Sequence, residues 1–253
     1  MTILLAGITI TLCVVVVLVP VHAYEYVEVF RDDFNDAQVD PSKWNIITAP
    51  SEVNQELEHY VADEVWEEHD FLFLRAQRRN YGGRQYTGGR VDTQHKFQFL
   101  YGEVEWRAKL PKGTGIWPAL WLLHWQCPPA RPCGTWPPEI DVLEARGDVP
   151  HKVTHTIHYG RWPSNQYEGT DTWGPDYTED FHTYKVIWDP FQLIFFVDGV
   201  ERYRVWEWHK IPHEPMYLIM NVAVGGWFGA DPDSTTPFPV HFIIDYVTVH
   251  RWQ

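Results

Sequence analysis

The sequence predicts an all-β protein built as two packed antiparallel sheets, a β-sandwich or jelly roll. Three observations predict it. Apolar runs of strand length recur along the chain, separated by Pro and Gly. No amphipathic helical pattern exceeds two turns, apart from a short piece near Pro41-Ser42-Lys43-Trp44. Asp198-Gly199 sits between two of the apolar runs, the dipeptide of a tight hairpin.

The elements follow in order. Residues 71–76 form an apolar run of strand length, and residues 101–110 alternate in part. Residues 182–189 lead into residues 192–197, then the Asp198-Gly199 turn and residues 200–206. In residues 241–252, Phe242, Ile244, Tyr246 and Thr248 alternate with Ile243, Asp245, Val247 and Val249. No internal repeat or low-complexity linker divides the chain, so one domain is expected.

Before that domain, residues 1–23 carry no charged side chain and end on Val21-His22-Ala23. They read as a secretory signal peptide cleaved after Ala23, with an uncleaved anchor as the alternative. Residues 24–253 form the expected catalytic domain, exported to an extracellular or periplasmic space. The net charge of −14 lies entirely in those residues. It argues against nucleic acid or anionic membrane as partner, and suits a neutral polymer. Cys13 falls in the leader, and Cys127 and Cys133 remain. An even count in an exported chain suggests a disulfide across Pro-Pro-Ala-Arg-Pro, with two free thiols as the alternative.

The chemistry concentrates in Glu139-Ile140-Asp141-Val142-Leu143-Glu144. On a strand, Glu139 and Asp141 share a face and Glu144 has the wrong parity. A β-bulge at or near Leu143 would return Glu144 to their face. The two Glu Cα atoms would then lie four strand steps apart, about 13 Å, within leaning distance of the roughly 5–5.5 Å carboxyl spacing of retaining glycosidases. A solvated acidic face is the bland alternative. Trp136-Pro137-Pro138 and Trp117-Pro118-Ala119-Leu120-Trp121 flank the motif, in a chain with 14 Trp, 13 Tyr and 13 Phe. Exposed indoles stack on sugar rings. A Trp-rich core would account for about half of the rings.

With these residues in hand, the chain resembles glycoside hydrolase family 16, in its laminarinase-like branch of endo-β-1,3-glucanases. The likeness spans residues 30–252 and rests on separated segments in one order. They are Phe30-Arg31-Asp32-Asp33-Phe34-Asn35, Asn54-Gln55-Glu56-Leu57-Glu58-His59-Tyr60, Tyr86-Thr87-Gly88-Gly89-Arg90 and residues 101–111. Asp180-Phe181-His182-Thr183-Tyr184, residues 215–227 and Asp245-Tyr246-Val247-Thr248-Val249 complete the set. The branch usually has W-P-x-x-G-E, whereas here Trp136 is three residues from Glu139 and Pro138 replaces the Gly, which re-aims the indole.

The resemblance implies a concanavalin A-like jelly roll with a cleft across its concave sheet. It implies Glu139 as nucleophile and Glu144 as acid/base, with Asp141 between them helping to keep Glu144 protonated. It implies sugar contacts from Asn54, Arg90, Asn221, Trp117, Trp121, Trp136, His158 and Trp227, with Trp121 the most core-like of the indoles. No cofactor is implied for catalysis. One structural Ca²⁺ is implied, on the Asp245 side chain and backbone oxygens near Asp33 and Asp70. The expected protein is a monomeric, secreted, retaining β-1,3-glucanase, active second on β-1,3-1,4-glucan. The alternatives are a same-fold hydrolase or transglycosylase on agar, carrageenan or xyloglucan, and a non-catalytic β-glucan-binding protein.

Overall fold

The computed structural model describes residues 26–36, 38–126, 136–161 and 163–252. The proposed leader and the Cys127–Cys133 pair lie outside the described residues. Two sheets, of eleven and seven strands, pack as a jelly-roll sandwich. Among the described residues the longest α-helix is Gly226–Gly229, and no helix is long and apolar enough to cross a membrane.

The seven-stranded sheet carries the cleft. Its order is Gln166–Trp173, Lys152–Tyr159, Glu139–Ala145, Ile116–His124, Met216–Val224, Arg90–Asp92 and Asn45–Ile46, every neighbour antiparallel. The eleven-stranded sheet includes Gly102–Lys109, His182–Asp189, Gln192–Val197, Val200–Val205, Phe71–Tyr81 and the long last strand Val240–Trp252. One pairing in it is parallel, Glu58–Tyr60 with Arg84–Gly88.

Period-two alternation decides which side chains meet between the sheets. In Gly102–Lys109, Val104, Trp106 and Ala108 are fully buried and their neighbours half-buried. In Ile116–His124, Ile116, Leu120 and Leu122 enter the core, while Trp117, Ala119, Trp121 and Leu123 take the cleft face. Met216–Val224 is buried on both faces. Met216, Leu218, Met220, Val222 and Val224 face the core. Tyr217 and Ile219 join a smaller apolar cluster with Leu123, and Asn221 and Ala223 line the cleft. Trp44, Trp106 and Trp188 are fully buried, whereas Trp173, Trp206, Trp208, Trp227 and Trp252 are exposed. Truncating Trp106 or Trp188 to Ala would cost about 3–5 kcal/mol.

Strands His182–Asp189 and Gln192–Val197 match expectation. Asp198 and Gly199 both adopt positive φ, 51° and 71°, as a type I′ hairpin requires. Two expectations change. The piece at Pro41–Trp44 is a turn closed by the Asp40 carbonyl, which accepts from the N–H groups of Lys43 and Trp44. The last strand does not keep one parity. Its pairing with Gly102–Lys109 shifts between Ile244 and Tyr246, so Phe242 and Ile244 are buried before the shift and Val247 and Val249 after it. The extra residue, Asp245, turns out to meet Arg107.

Candidate active site

The cleft is built on the bulge that the parity of Glu144 demands. Against Lys152–Tyr159, Glu139 pairs with His158, Asp141 with Thr156 and Glu144 with Thr154. Two residues, Val142 and Leu143, therefore stand against one, His155. Against Ile116–His124, Leu143 pairs with Leu120 and Asp141 with Trp121, leaving Val142 as the inserted residue. Ile140, Val142, Leu143 and Ala145 are buried in the core. Glu139, Asp141 and Glu144 all line one cleft, with Asn54, Glu56, Tyr60, Arg90, Trp117, Ala119, Trp121, Asn221 and Ala223 among its other walls.

Each Glu accepts from one indole. Trp136 Nε1 donates to Glu139 Oε2 at 3.0 Å, and Trp117 Nε1 to Glu144 Oε1 at 3.2 Å. The shortened Trp136 spacing thus folds that ring back onto Glu139. Thr156 Oγ1 donates to Glu144 Oε2 at 3.3 Å. His158 Nε2 lies 3.5 Å from Glu139 Oε1 and 3.2 Å from Asp141 Oδ2. It is within ion-pair distance of Glu139 and Asp141, and reaches Glu144 through its field. The Trp136 and Tyr167 rings flank it at 5.5 and 6.0 Å.

The electrostatics separate the two Glu. Burial, then the charge of Asp141, raises Glu139 from 4.5 to about 7, against the opposing pull of His158 and the Trp136 hydrogen bond. The same two causes in the same order push Glu144 well above the carboxylate range. Burial therefore leads, and Asp141 adds to it at both Glu rather than at Glu144 alone. Burial works against the His158 cation, but hydrogen bonding to Asp141 and the field of Glu139 outweigh it and lift His158 to about 9. At neutral pH the cation sits beside Glu139 and Asp141, and its field opposes protonation of Glu139 and, from farther off, of Glu144.

On the other side of the carboxylates, Arg90 is buried with its guanidinium between the rings of Tyr60 at 5.4 Å and Trp121 at 5.1 Å. Its Nε and Nη2 have no hydrogen-bond partner among the described residues. Asn221 Oδ1 accepts from Trp121 Nε1 at 2.8 Å, and its Nδ2 donates to the Tyr60 hydroxyl at 3.2 Å. Trp121 is thus a half-buried wall of the cleft, not core. Asn54 has φ 54°, tolerated by Asn, and donates to Glu56 Oε1 at 3.0 Å. Gly225 and Gly226 take φ of 75° and 82°, and a Cβ on Gly226 would come 3.0 Å from the Asn54 carbonyl. That close turn lets Trp227 N–H bond to the Asn54 carbonyl, with the ring exposed at the rim against Trp117.

Sequence reasoning missed three contributors. Thr156, two residues before His158, shares its strand face, and that spacing was the available signal. Glu56 and Tyr60 both belong to the Asn54–Tyr60 motif, but their contacts to Asn54 and Asn221 come from folding.

At the implied Ca²⁺ site, Arg107 pairs with the Asp245 side chain, and Arg31 donates to both side-chain oxygens of Asp33 at 2.7 Å. Asp70 sits in a turn at φ 62°. The Asp245 carboxylate is thus engaged by a guanidinium, while the backbone oxygens implied near Asp33 and Asp70 are untouched by these side-chain pairs. Among the described residues, the His, Asp and Glu side chains close enough to share a metal are Glu139, Asp141 and His158, within 4.8 Å of one another. Without a metal, the two carboxylates keep His158 protonated up to about pH 9.

Comparison with known proteins converges on one group. The model of glycosyl hydrolases family 16 matches residues 53–248. The chain is 36% identical over 261 residues to Glucan endo-1,3-beta-glucosidase A1 of Niallia circulans, covering 89% of this chain and 38% of that protein. It is 35% identical over 251 residues to Beta-glucanase of Rhodothermus marinus, covering 88% of this chain and 85% of that one. The catalytic domain of an endo-1,3-beta-glucanase (laminarinase) from Thermotoga petrophila superposes with a TM-score of 0.81 at 32% identity, over 91% of this chain and 99% of that one. The bulged carboxylate strand, the cleft around it and the match across most of its length establish that this chain belongs to the family 16 glycosyl hydrolases.

Proposed function

We propose that the protein is a retaining endo-glycosidase that cleaves internal β-1,3 linkages of glucan, with β-1,3-1,4-glucan as a second substrate. The observation that carries the mechanism is the asymmetric placement of His158. It lies 3.5 Å from Glu139 and 3.2 Å from Asp141, and although its field also reaches Glu144, burial and the charge of Asp141 leave Glu144 well above the carboxylate range while Glu139 stands at about 7.

Glu139 is then the nucleophile and Glu144 the acid/base. Glu144 gives its proton to the glycosidic oxygen as that C–O bond breaks. A Glu139 oxygen forms an ester to the anomeric carbon from the opposite face. The anionic Glu144 next takes a proton from water. The water oxygen bonds to the anomeric carbon, Glu139 leaves as a carboxylate, and the β configuration is retained. Trp136 N–H stabilises Glu139 whenever it is free as an anion.

Arg90, Asn54, Asn221, Trp117, Trp121 and Trp227 form the donor-side wall. His158, with Trp136 beside it, faces the leaving sugar. The relatives named glucanase and laminarinase support β-1,3-glucan, as does a cleft of indoles and neutral amides. The net charge of −14 disfavours sulfated galactans. A polymeric substrate agrees with export by a leader at residues 1–23.

Reducing-sugar release and chromatography across laminarin, lichenan, agarose, κ-carrageenan and xyloglucan test this reading. Early oligomers of mixed length from laminarin are expected. Products from agarose or carrageenan, with none from laminarin or lichenan, would overturn the substrate and leave the retaining mechanism standing.

A further inference from the structure

The bulge that aims Glu144 creates a backbone problem in the core, and one side chain solves it. Inserting Val142 interrupts the ladder on both sides of its strand, since Val142 is paired neither with Ile116–His124 nor with Lys152–Tyr159. Val142 is fully buried. A buried carbonyl outside the ladder still needs a donor. The residue directly opposite the two-residue bulge is His155, also fully buried, and its ring points away from the cleft into the core, tilted against Phe195 at 5.3 Å. Its Nδ1 lies 2.7 Å from the Val142 carbonyl oxygen.

A carbonyl only accepts, so Nδ1 carries the proton. Nε2, 3.1 Å from Thr172 Oγ1, then accepts from that hydroxyl. Burial holds the imidazole neutral down to about pH 4, which fixes this tautomer across the working range. Thr172 belongs to the next strand, Gln166–Trp173. The chain of contacts thus runs from the edge strand, through His155, to the inserted residue two positions before Glu144.

We propose that His155 is a positioning residue for Glu144. By donating to the Val142 carbonyl from the core side, it locks the two-against-one register that turns the Glu144 side chain into the cleft. Without that donor the bulge is free to relax toward regular pairing, and regular pairing sends Glu144 to the opposite face. The role rests on the reading of Glu144 as acid/base.

The test separates the donor from the packing. His155→Phe keeps a ring against Phe195 and removes the donor. His155→Asn removes the ring and keeps an N–H at the Nδ1 position. Each is assayed on laminarin, which needs protonation of the leaving oxygen, and on a dinitrophenyl β-laminaribioside with azide, which bypasses both proton transfers.

For His155→Phe, kcat on laminarin should fall roughly 10- to 100-fold, the scale of a misplaced catalytic group, with KM little changed and the azide-assisted aryl reaction preserved. His155→Asn should retain most of kcat despite a lower Tm. Equal kcat in His155→Phe and wild type would overturn the proposal. So would an Asn variant that loses as much as the Phe variant, or a parallel loss on both substrates. If the Phe variant does not fold, His155→Ala against His155→Asn makes the same comparison. Glu144→Gln serves as the reference. Its retaining laminarin activity would overturn the acid/base reading and this inference together. Its failing while His155→Phe works normally would overturn this inference alone.

Discussion

Replacing His158 by Gln should move the acidic limb of the pH profile of kcat/KM upward by at least about one unit. The proposed reaction needs Glu139 as an anion, and the His158 cation lies 3.5 Å from it. At that separation a unit pair interacts by about 1.2 kcal/mol in a water-like medium and by about 5 kcal/mol at an effective dielectric of 20. One pKa unit corresponds to about 1.4 kcal/mol, so the shift lies between about one and three units. Asp141 acts in the same direction, because it also loses the cation 3.2 Å away and repels the Glu139 anion more strongly. Starting from about 7, even the smaller shift lowers the anionic fraction at pH 6 by roughly tenfold. The deficit should shrink as pH rises toward 9, where wild-type His158 itself loses its proton. The assay is kcat/KM from pH 5 to 9 on laminarin and on an activated aryl laminaribioside, with Tm recorded at each pH. An acidic limb that stays in place, or moves down, would refute the idea that His158 holds Glu139 ionised. A uniform loss at every pH would assign His158 to sugar binding alone.

Other outcomes follow from the same site. Glu139→Gln and Glu144→Gln should each lower turnover of laminarin by roughly 10³-fold or more with the fold intact, and azide with an activated aryl glycoside should rescue only the Glu144 variant. Glu139 is raised from 4.5 to about 7, so its contribution to stability is present below 4.5 and lost as pH rises through 7. Glu139→Gln should therefore raise stability at pH 8 by up to about 3 kcal/mol and change little at pH 4.5, read by urea denaturation at the two pH values. Tyr167 is 74% exposed and stands opposite His158 on the edge strand, placing it on the leaving-sugar side. Tyr167→Ala should raise KM for long laminarin oligomers by a few-fold, about 1 kcal/mol, and lower transfer to added acceptor sugars. Unchanged acceptor kinetics would remove Tyr167 from the cleft.

How much of this was legible in the sequence depends on whether a feature is encoded locally. The bulge at Val142 and Leu143 was readable because three charged residues had to share a wet face and simple alternation allowed only two. The shift at Asp245 was not, because apolar residues occupy both parities of residues 241–252, and only pairing with Gly102–Lys109 selects among them. The Asp198-Gly199 turn is local chemistry and matched. Indole orientation is not local. Trp117 and Trp136 read as sugar platforms, yet their N–H groups serve Glu144 and Glu139. Trp121 reads as a stacking candidate and the most core-like of the indoles, and its position on the strand and its bond to Asn221 set it, half-buried, in the cleft wall. The contact between Asn221 and Tyr60 joins residues 161 positions apart, a juxtaposition created by the sandwich and absent from any motif.

The guanidinium of Arg90, dry and clamped between two aromatic faces, bears on discrimination among sugars. Its Nε and Nη2 are buried and have no acceptor among the described residues. A hydroxyl arriving at the right place satisfies them without further dehydration of the protein. A sugar lacking that hydroxyl, or presenting it on the other face of the ring, leaves a buried ionic donor unmatched. Such mismatches exclude substrates far more sharply than a missing apolar contact does. On the proposed reading, the wall that looks like a stacking surface would work as a stereochemical gate. Deoxy and epimeric laminari-oligosaccharides would expose it as losses concentrated at a single hydroxyl.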